Sequence, residues 1–121
     1  MGKLVMVVDD SATVRRSLQL ILGKAGYIVD AAANAEEAMK KLSEAKADLV
    51  ITDLNMPGCD GIELTRRIRS LPSYRAVPIL LLTTEAQVSR KEEGRQAGAT
   101  GWITKPFQTE QLLRLVERLL A

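Results

Sequence analysis

Acidic, hydroxyl and basic side chains follow four separate apolar runs of this 121-residue chain. Asp9 and Asp10 come directly after the first run, Asp53 follows the third, Thr83 the fourth and Lys105 the fifth. Carboxylates are ligands for hard divalent cations, and a carboxylate can also act as a nucleophile. These residue types are suited to metal-assisted phosphoryl transfer, provided that the fold brings them into one cleft.

The elements that must position these residues are five short apolar runs alternating with amphipathic stretches. The runs cover residues 4–8, 28–32, 49–52, 79–82 and 102–103. Runs of this length without polar alternation are typical of strands covered on both faces, as in a parallel sheet. We therefore predict five strands, each ending where the polar residues begin or where a helix follows.

Helical patterns fill the gaps between these runs. In the first, Val14, Leu18, Ile21, Leu22 and Ala25 share one face. The expected boundaries are Gly26 beyond the first helix, a capping box of Asn34 and Glu37 at the second, Pro72 beyond the third, and Thr109 as N-cap of the fifth. The fourth helix covers roughly residues 86–97, is weakly apolar and contains Gly94, which costs about 1 kcal/mol relative to Ala.

Five repeats of strand and helix predict a parallel sheet with helices on both faces. In such open sheets, ligands bind at the carboxyl ends of the strands, where the polar residues lie. The pattern does not give the strand order. If the first and third strands are neighbours, three carboxylates share a cleft and repel one another, and a hard divalent cation relieves that repulsion. With no His or Cys nearby, Mg²⁺ is the expected ion and Mn²⁺ the alternative.

Composition narrows the class of protein. The chain is 46% hydrophobic but only 3% aromatic, which predicts one aliphatic core, and no stretch resembles an interdomain linker. We therefore expect residues 1–121 to form a single domain without an attached output domain. The net charge is +2, and the densest basic cluster, Arg66, Arg67 and Arg69, has no interleaved aromatic residue, so we expect no nucleic-acid binding.

The cysteine and histidine content of the chain excludes an internal disulfide and one class of catalysis. One cysteine, Cys59, rules out an internal disulfide, and the lack of histidine rules out His-based general-base catalysis. The sequence shows no signal peptide and no apolar run long enough to span a bilayer. A reduced, cytoplasmic location without membrane insertion is the expectation.

Taken together, these segments resemble response-regulator receiver domains, and most closely the single-domain chemotaxis receivers. The resemblance covers essentially the whole chain. It is carried by residues 7–11 (VVDDS), 53–57 (DLNMP), 60–61 (DG), 82–86 (LTTEA), 97–99 (AGA) and 105–107 (KPF). It implies a flavodoxin-like (βα)5 three-layer sandwich whose five-stranded parallel sheet has the order 2-1-3-4-5, and this order comes from the family alone.

The resemblance also implies a role for each matching residue. Asp53 is the phosphoacceptor. Asp10 is a direct metal ligand, Asp9 acts mainly through metal-bound water, and Asn55 offers its backbone carbonyl to the metal. Thr83 is the switch hydroxyl, Thr84 supplies a backbone N–H to the phosphoryl group, and Lys105 pairs with that group and precedes a cis bond to Pro106. Trp102 is the switch aromatic, and Asn55 with Glu85 tunes autodephosphorylation.

The implied function is a two-component signalling switch that takes its phosphoryl group from a histidine kinase. It is not an enzyme beyond self-phosphorylation from phosphodonors and autodephosphorylation. The implied partners are a flagellar motor switch or another effector, bound by the fourth helix, fifth strand and fifth helix, together with a phosphatase. A monomer is expected. Three features depart from the family pattern: the basic net charge, the polar fourth helix, and Leu54 directly after the acceptor.

Four alternatives remain at this point. A stand-alone receiver in a phosphorelay or other pathway would carry the same motifs, although Asn55 with Glu85 favours chemotaxis. A haloacid dehalogenase-type phosphatase needs a second Asp where Asn55 stands. A flavodoxin-like electron carrier needs aromatic residues to hold a flavin. A receiver that works without phosphorylation would not need the full set of polar residues.

Overall fold

The computed structural model describes residues 2–121, apart from the side chains at positions 85, 86 and 88. Five strands and five α-helices alternate along the chain. The strands are β1 (Leu4–Val8), β2 (Ile28–Ala32), β3 (Leu49–Asp53), β4 (Ile79–Thr83) and β5 (Gly101–Thr104). The helices are α1 (Ala12–Lys24), α2 (Ala35–Glu44), α3 (Gly61–Arg69), α4 (Lys91–Ala97) and α5 (Thr109–Leu119), with short 3-10 helices at Pro72–Tyr74 and Glu85–Arg90.

All five strands pair in parallel, in the order β2-β1-β3-β4-β5. The predicted flavodoxin-like fold is therefore confirmed, including its strand order. β1 lies between β2 and β3, with Val8 opposite Thr52, so the residues that follow β1 emerge beside the end of β3. On the other side of β3, Asp53 is opposite Leu82, which precedes Thr83.

The core forms two aliphatic layers, because successive side chains of each strand point to opposite faces of the sheet. Met6 and Val8 pack toward α2 and α3, whereas Val5 and Val7 pack toward α1 and α5. The helices contribute Leu42, Leu64 and Ile68 to the first layer and Leu18, Leu22, Leu112 and Val116 to the second. Among the residues described, no helix has both the length and the apolar character needed to cross a membrane.

Two predicted helix boundaries are confirmed. Gly26 follows α1 with a φ of 98°, a left-handed conformation that glycine adopts without a steric penalty. The Asn34 side chain accepts a hydrogen bond from the Glu37 N–H at 2.8 Å, as an N-cap does. The Glu37 carboxylate, however, accepts from the Ala33 N–H at 2.6 Å rather than from Asn34, so the reciprocal contact lies one residue earlier than in the capping box.

Two boundary predictions are wrong. The segment expected to be one helix from about residue 86 begins as a 3-10 helix, and the α-helical part starts only at Lys91, without a side-chain cap. A polar segment with few apolar anchors has little packing to hold a longer α-helix. Thr109 is the first residue of α5 rather than its N-cap, because Gln108 is the last residue in an extended conformation.

Gly94 has a packing role that its helix propensity does not predict. A Cβ at this position would lie 2.8 Å from Cδ1 of Leu81. Glycine therefore allows α4 to lie close to β4, where a small cluster of buried residues forms from Leu54, Ile62, Leu81, Ala97 and Ala99. The contact between α4 and the sheet thus depends on small residues.

Candidate functional site

Three carboxylates meet at the carboxyl edge of the sheet. Asp9 follows β1 and Asp53 ends β3, and because these strands are neighbours the two side chains lie together. Asp9 is 1% exposed and Asp53 is 6% exposed, whereas Asp10 is open to solvent. One carboxylate oxygen of each lies within 4.8 Å of the other two. The structure therefore brings Asp9, Asp10 and Asp53 together as the sequence predicted, while their roles as ligands stay predictions.

Lys105 joins the two buried carboxylates from the far side of the cleft. Its Nζ lies 3.1 Å from Oδ2 of Asp9 and 3.2 Å from Oδ1 of Asp53. The residue follows β5, and its backbone N–H donates to the carbonyl of Thr83 at the end of β4. The peptide bond to Pro106 is cis, as the resemblance implies.

The charges of the cluster are not balanced. Burial raises the pKa of Asp53, and repulsion from Asp9 raises it further. Lys105 and a hydrogen bond from the Asn55 backbone lower this pKa only in part. Burial disfavours the charged form of Lys105, but attraction to Asp53 and Asp9 outweighs it and raises the pKa of Lys105. Three carboxylates against one ammonium leave a surplus of negative charge in a partly desolvated cleft.

This surplus and the donor set fit a hard divalent cation. The three side chains offer only oxygen ligands, the type that Mg²⁺ prefers, and the exposed Asp10 leaves one side of the cluster open to metal-bound water. The acidic cluster therefore fits Mg²⁺, the ion that the sequence predicts, although which residues hold the ion stays a prediction.

Thr83 presents a buried hydroxyl to this edge of the sheet. It is the last residue of β4, it is 1% exposed, and its Oγ1 has no hydrogen-bond partner among the residues described. A buried polar atom without a partner is rare and needs a physical reason. The neighbouring Thr84 is exposed, and its N–H and Oγ1 both donate to Oε1 of Gln87, at 3.0 and 3.2 Å.

Trp102 lies on β5, close to the Thr83 position. Leu81 is opposite Trp102 and Thr83 is opposite Thr104, so Thr83 and Trp102 point to the same face of the sheet, two residues apart in register. Trp102 is half-buried against the small cluster under α4, and the Nζ of Lys91 lies 4.8 Å from the centroid of its ring. That distance is within the range of a cation–π contact.

The two residues expected to tune dephosphorylation are only partly visible. Asn55 is exposed, directly beyond the acidic cluster, and its backbone bonds to the Asp53 carboxylate. The side chain of Glu85 lies outside the described residues. Leu54 is fully buried, and its N–H donates to the Leu82 carbonyl at 2.9 Å, so this departure from the family pattern is accommodated in the core.

Two sets of contacts near the site were not predicted. Ser11 caps α1, and its N–H donates to Oδ1 of Asp9 at 2.9 Å, while Arg15 donates to the Asp9 carbonyl at 2.6 Å. A serine directly before a predicted helix is an N-cap signal, and it could have indicated that Ser11 caps α1. Arg90 pairs with Asp60, and no local pattern reveals this pair, because the residues are 30 positions apart.

Comparison with known proteins shows the family of this chain. The family model described as "Response regulator receiver domain" matches residues 5–117. The chain is 40% identical to the transcriptional regulatory protein ResD of Bacillus subtilis, and 41% identical to the two-component response regulator PhoP of Pseudomonas aeruginosa, over 116 residues in each case. This chain belongs to the response-regulator receiver domain family.

Coverage differs between the curated relatives and the solved structures. The alignments with ResD and PhoP cover 96% of this chain but only 47% and 51% of those proteins, so the chain spans about half the length of these relatives. The chemotaxis response regulator CheY4 of Vibrio cholerae matches over 99% of this chain and 100% of its own, with a TM-score of 0.95 and 42% identity. The structural similarity between this chain and CheY4 therefore covers nearly the whole of both chains.

Proposed function

We propose that this receiver is a switch in which Asp53 accepts a phosphoryl group from a histidine kinase, and that the chain passes the signal to a chemotaxis or motility target. The observation that carries the proposal is the buried pair of Asp9 and Asp53 held by Lys105, next to the buried hydroxyl of Thr83, which has no partner in the described part of the chain. A nucleophile, a charge partner and a buried hydrogen-bond donor meet at one edge of the sheet.

In the reaction, a carboxylate oxygen of Asp53 attacks phosphorus and forms an acyl phosphate. The bond between phosphorus and the kinase's histidine nitrogen breaks, and that nitrogen keeps the electron pair. The ionised form of Asp53 is required, and the ammonium of Lys105 favours that form against the burial that disfavours it. Phosphoryl transfer depends mainly on positioning and charge stabilisation, which the ends of rigid strands provide.

Asp10, Asp9, Asp53 and the backbone carbonyl of Asn55 would hold Mg²⁺, with Mn²⁺ as the alternative. The ion supplies charge neutralisation for phosphoryl oxygens when bound. Asp9 is the most buried of the three and is already held by Lys105 and the Ser11 N–H, which suits a contribution through water rather than direct ligation.

The remaining polar groups receive the phosphoryl oxygens. The ammonium of Lys105, which pairs with Asp9 and Asp53 in the structure, would pair with one phosphoryl oxygen. The Thr83 hydroxyl would donate a hydrogen bond to another. The N–H of Thr84 donates to a third after it releases Gln87. When Thr83 moves toward the phosphoryl group it vacates space on the face that it shares with Trp102, and the tryptophan turns inward to fill it.

The effector would then bind the surface of α4, β5 and α5. The CheY4 similarity and the pair of Asn55 and Glu85 support a chemotaxis pathway and a flagellar motor switch as effector, with a phosphatase to end the signal. The alternative is a phosphorelay or transcriptional pathway, which similarity to half of ResD and PhoP favours. We propose that residues 1–121 work as one monomeric receiver in the cytoplasm, without binding nucleic acid.

Acetyl phosphate with Mg²⁺ tests the acceptor. Intact-mass spectrometry should show a single phosphoryl adduct that is labile in base. Asp53→Asn should abolish it, since an amide does not attack phosphorus, whereas Asp30→Asn, a matched change at a surface ion pair, should leave it unchanged. Undiminished labelling of Asp53→Asn would show that another residue accepts the phosphoryl group.

Phosphotransfer from a panel of purified histidine kinases separates the pathways. A chemotaxis kinase should label Asp53 fastest if the proposal is correct, while faster labelling by a membrane sensor kinase would favour the alternative. Sustained hydrolysis of p-nitrophenyl phosphate would instead indicate a phosphatase of the haloacid dehalogenase type, and none is expected because Asn55 stands where that enzyme needs an acid.

A further inference from the structure

Two connections leave the acidic cluster side by side. Residues 54–60 lead from Asp53 to α3, and residues 84–90 lead from Thr83 to α4. Because both strands end at the site, a ligand that draws the Thr83 end of β4 toward Asp53 would change the relative position of these two connections. Any contact that joins them therefore bears on the switch.

Arg90 makes such a contact. Its Nη2 lies 3.2 Å from Oδ2 of Asp60, the last residue of the first connection, and its Nε lies 3.0 Å from Oε1 of Glu93 in α4. Asp60 is also the N-cap of α3, where it accepts the Glu63 N–H at 2.9 Å. One guanidinium thus ties the beginning of α4 to the beginning of α3.

The other end of α4 is held in a different way. Arg69, in the last turn of α3, donates to the carbonyl of Gly98 from two nitrogens, at 3.0 and 2.8 Å. The same guanidinium also donates to the carbonyls of Tyr74 and Val77, both at 2.6 Å. Gly98 follows α4 at the end remote from the site, whereas Tyr74 and Val77 lie in the connection between α3 and β4. At the end next to Thr83, Arg90 makes the shorter ion pairs, and Arg66 of α3 adds a longer one, with its Nη2 3.9 Å from Oε2 of Glu93.

We propose that Arg90 is a positioning residue of the switch: its bridge to Asp60 and Glu93 favours the conformation seen in the structure, in which the Thr83 hydroxyl has no partner among the described residues. This inference rests on the proposed function, because it assumes that a phosphoryl group draws the Thr83 end of the connection toward Asp53. A contact made in one conformation and lost in the other shifts their populations by its differential free energy. The bridge therefore makes activation harder, and losing it makes activation easier.

Simple electrostatics predicts the opposite result. Arg90 is a cation near an anion-binding site, so its removal should weaken binding of a phosphoryl analogue if charge alone matters. The bridge predicts stronger apparent binding for the same variant. The sign of the effect therefore distinguishes the two explanations.

The experiment titrates beryllofluoride with Mg²⁺ into the protein and follows emission from Trp102, the only tryptophan. Arg90→Gln should lower the midpoint about two- to fivefold, the range expected from losing a partly exposed ion pair. Asp60→Asn breaks the same bridge from its acidic end while asparagine keeps the N-cap, and it should lower the midpoint as well. Combining the two variants should add little to either one, because both remove the same contact.

Two further variants serve as controls. Arg95→Gln removes the same charge from α4 itself, five residues beyond Arg90, but Arg95 pairs with Glu92 within α4, so its midpoint should stay at the wild-type value. Arg90→Lys should lie between wild type and Arg90→Gln, since an ammonium lacks the planar fork that reaches two partners. Thermal melts of all variants check that each is folded.

An unchanged or higher midpoint for Arg90→Gln overturns the proposal, as does an equal fall in Arg95→Gln. If wild-type protein gives no response to beryllofluoride and no adduct with acetyl phosphate, the proposed function fails and the role of Arg90 fails with it. If the wild type responds normally and Arg90→Gln has the same midpoint, the proposed role of Arg90 is refuted and the proposed function is unaffected.

Discussion

The helices α4 and α5 follow each other around the last strand, yet they are attached to the sheet by different means. α5 buries Leu112 and Val116 completely, in the layer that also contains Leu18 and Leu22 of α1. α4 buries Gly94 and Ala97, and the ion pairs of Arg90 hold its first residues. Burial of large aliphatic side chains stabilises far more than exposed ion pairs do.

This difference shows where the fold can change without unfolding. A helix attached by small residues and polar contacts belongs to the low-stability end of a structure, where local rearrangements begin. The acidic cluster, in contrast, lies at the ends of β1 and β3, whose residues are buried throughout apart from Leu4. The chain therefore joins a rigid site to an adjustable helix, and the β4–α4 connection is the link between them.

The largest expected effect comes from a substitution in α5, the helix that is anchored by large aliphatic side chains. Leu112→Ala should lower the free energy of unfolding by about 2–5 kcal/mol, because it leaves a cavity beneath α5. Ala97→Gly on α4 should cost only about 1 kcal/mol, mainly through helix propensity. Urea denaturation followed by circular dichroism measures both. Similar losses for the two variants would contradict the contrast between the helices.

The second effect concerns the metal. The proposed Mg²⁺ site exists only in the native protein and not in the unfolded chain, so the ion should stabilise the protein by about 2.7 kcal/mol at a hundredfold excess over Kd. Asp53→Ala should reduce that gain and raise the melting temperature without metal, because the carboxylate is held in a cleft where burial and Asp9 disfavour its charge. Thermal melts with Mg²⁺ and with EDTA test this.

Adding Mg²⁺ with and without beryllofluoride also tests whether the acidic cluster and α4 respond separately. Since the three carboxylates lie on strand ends, Mg²⁺ alone should raise the melting temperature and leave Trp102 emission nearly unchanged. A shift should appear only when beryllofluoride is added and Thr83 acquires a partner. A full shift with Mg²⁺ alone would show that the cluster and α4 are not separate regions.

The third effect uses two glycines in helices. Gly23→Ala in α1 meets open space, so it should stabilise the protein by up to about 1 kcal/mol. Gly94→Ala places a Cβ against Leu81, so displacement of α4 should offset the same gain. Denaturation curves give the stabilities, and Trp102 emission should change only in Gly94→Ala. Equal stabilisation by both substitutions, without a change in emission, would show that α4 does not need the close approach.

The sequence predicted the rigid region well, because its signals are local and strong. Continuous apolar runs located all five strands, and the polar residues after them located the acidic cluster. The strand order came only from family resemblance, since neighbouring strands leave no local mark. The 3-10 segment before Lys91 was missed because its α-helical pattern is weak, and the pairing of Arg90 with Asp60 depends on tertiary geometry that no spacing reveals.

The smallest effect concerns a polar contact on a well-packed helix. The Glu37 carboxylate accepts the Ala33 N–H and lies 3.6 Å from Nζ of Lys41, and the pKa of Glu37 is lowered mainly by that backbone hydrogen bond. A lowered pKa in the folded state means that the ionised form stabilises the fold. This contribution is complete above the ordinary value of 4.5 and is lost as the pH falls through the lower folded value.

Glu37→Gln should therefore lower stability at neutral pH by about 0.3–0.5 kcal/mol, the size of an exposed helix pair, and the difference should vanish in acid. Denaturation curves collected at neutral pH and below pH 4 measure the change. The beryllofluoride midpoint should stay at the wild-type value, because α2 is anchored by Ala38 and Leu42 and lies away from α4. A shifted midpoint in Glu37→Gln would show that polar contacts on any helix influence the switch, and the special position of the β4–α4 connection would be lost.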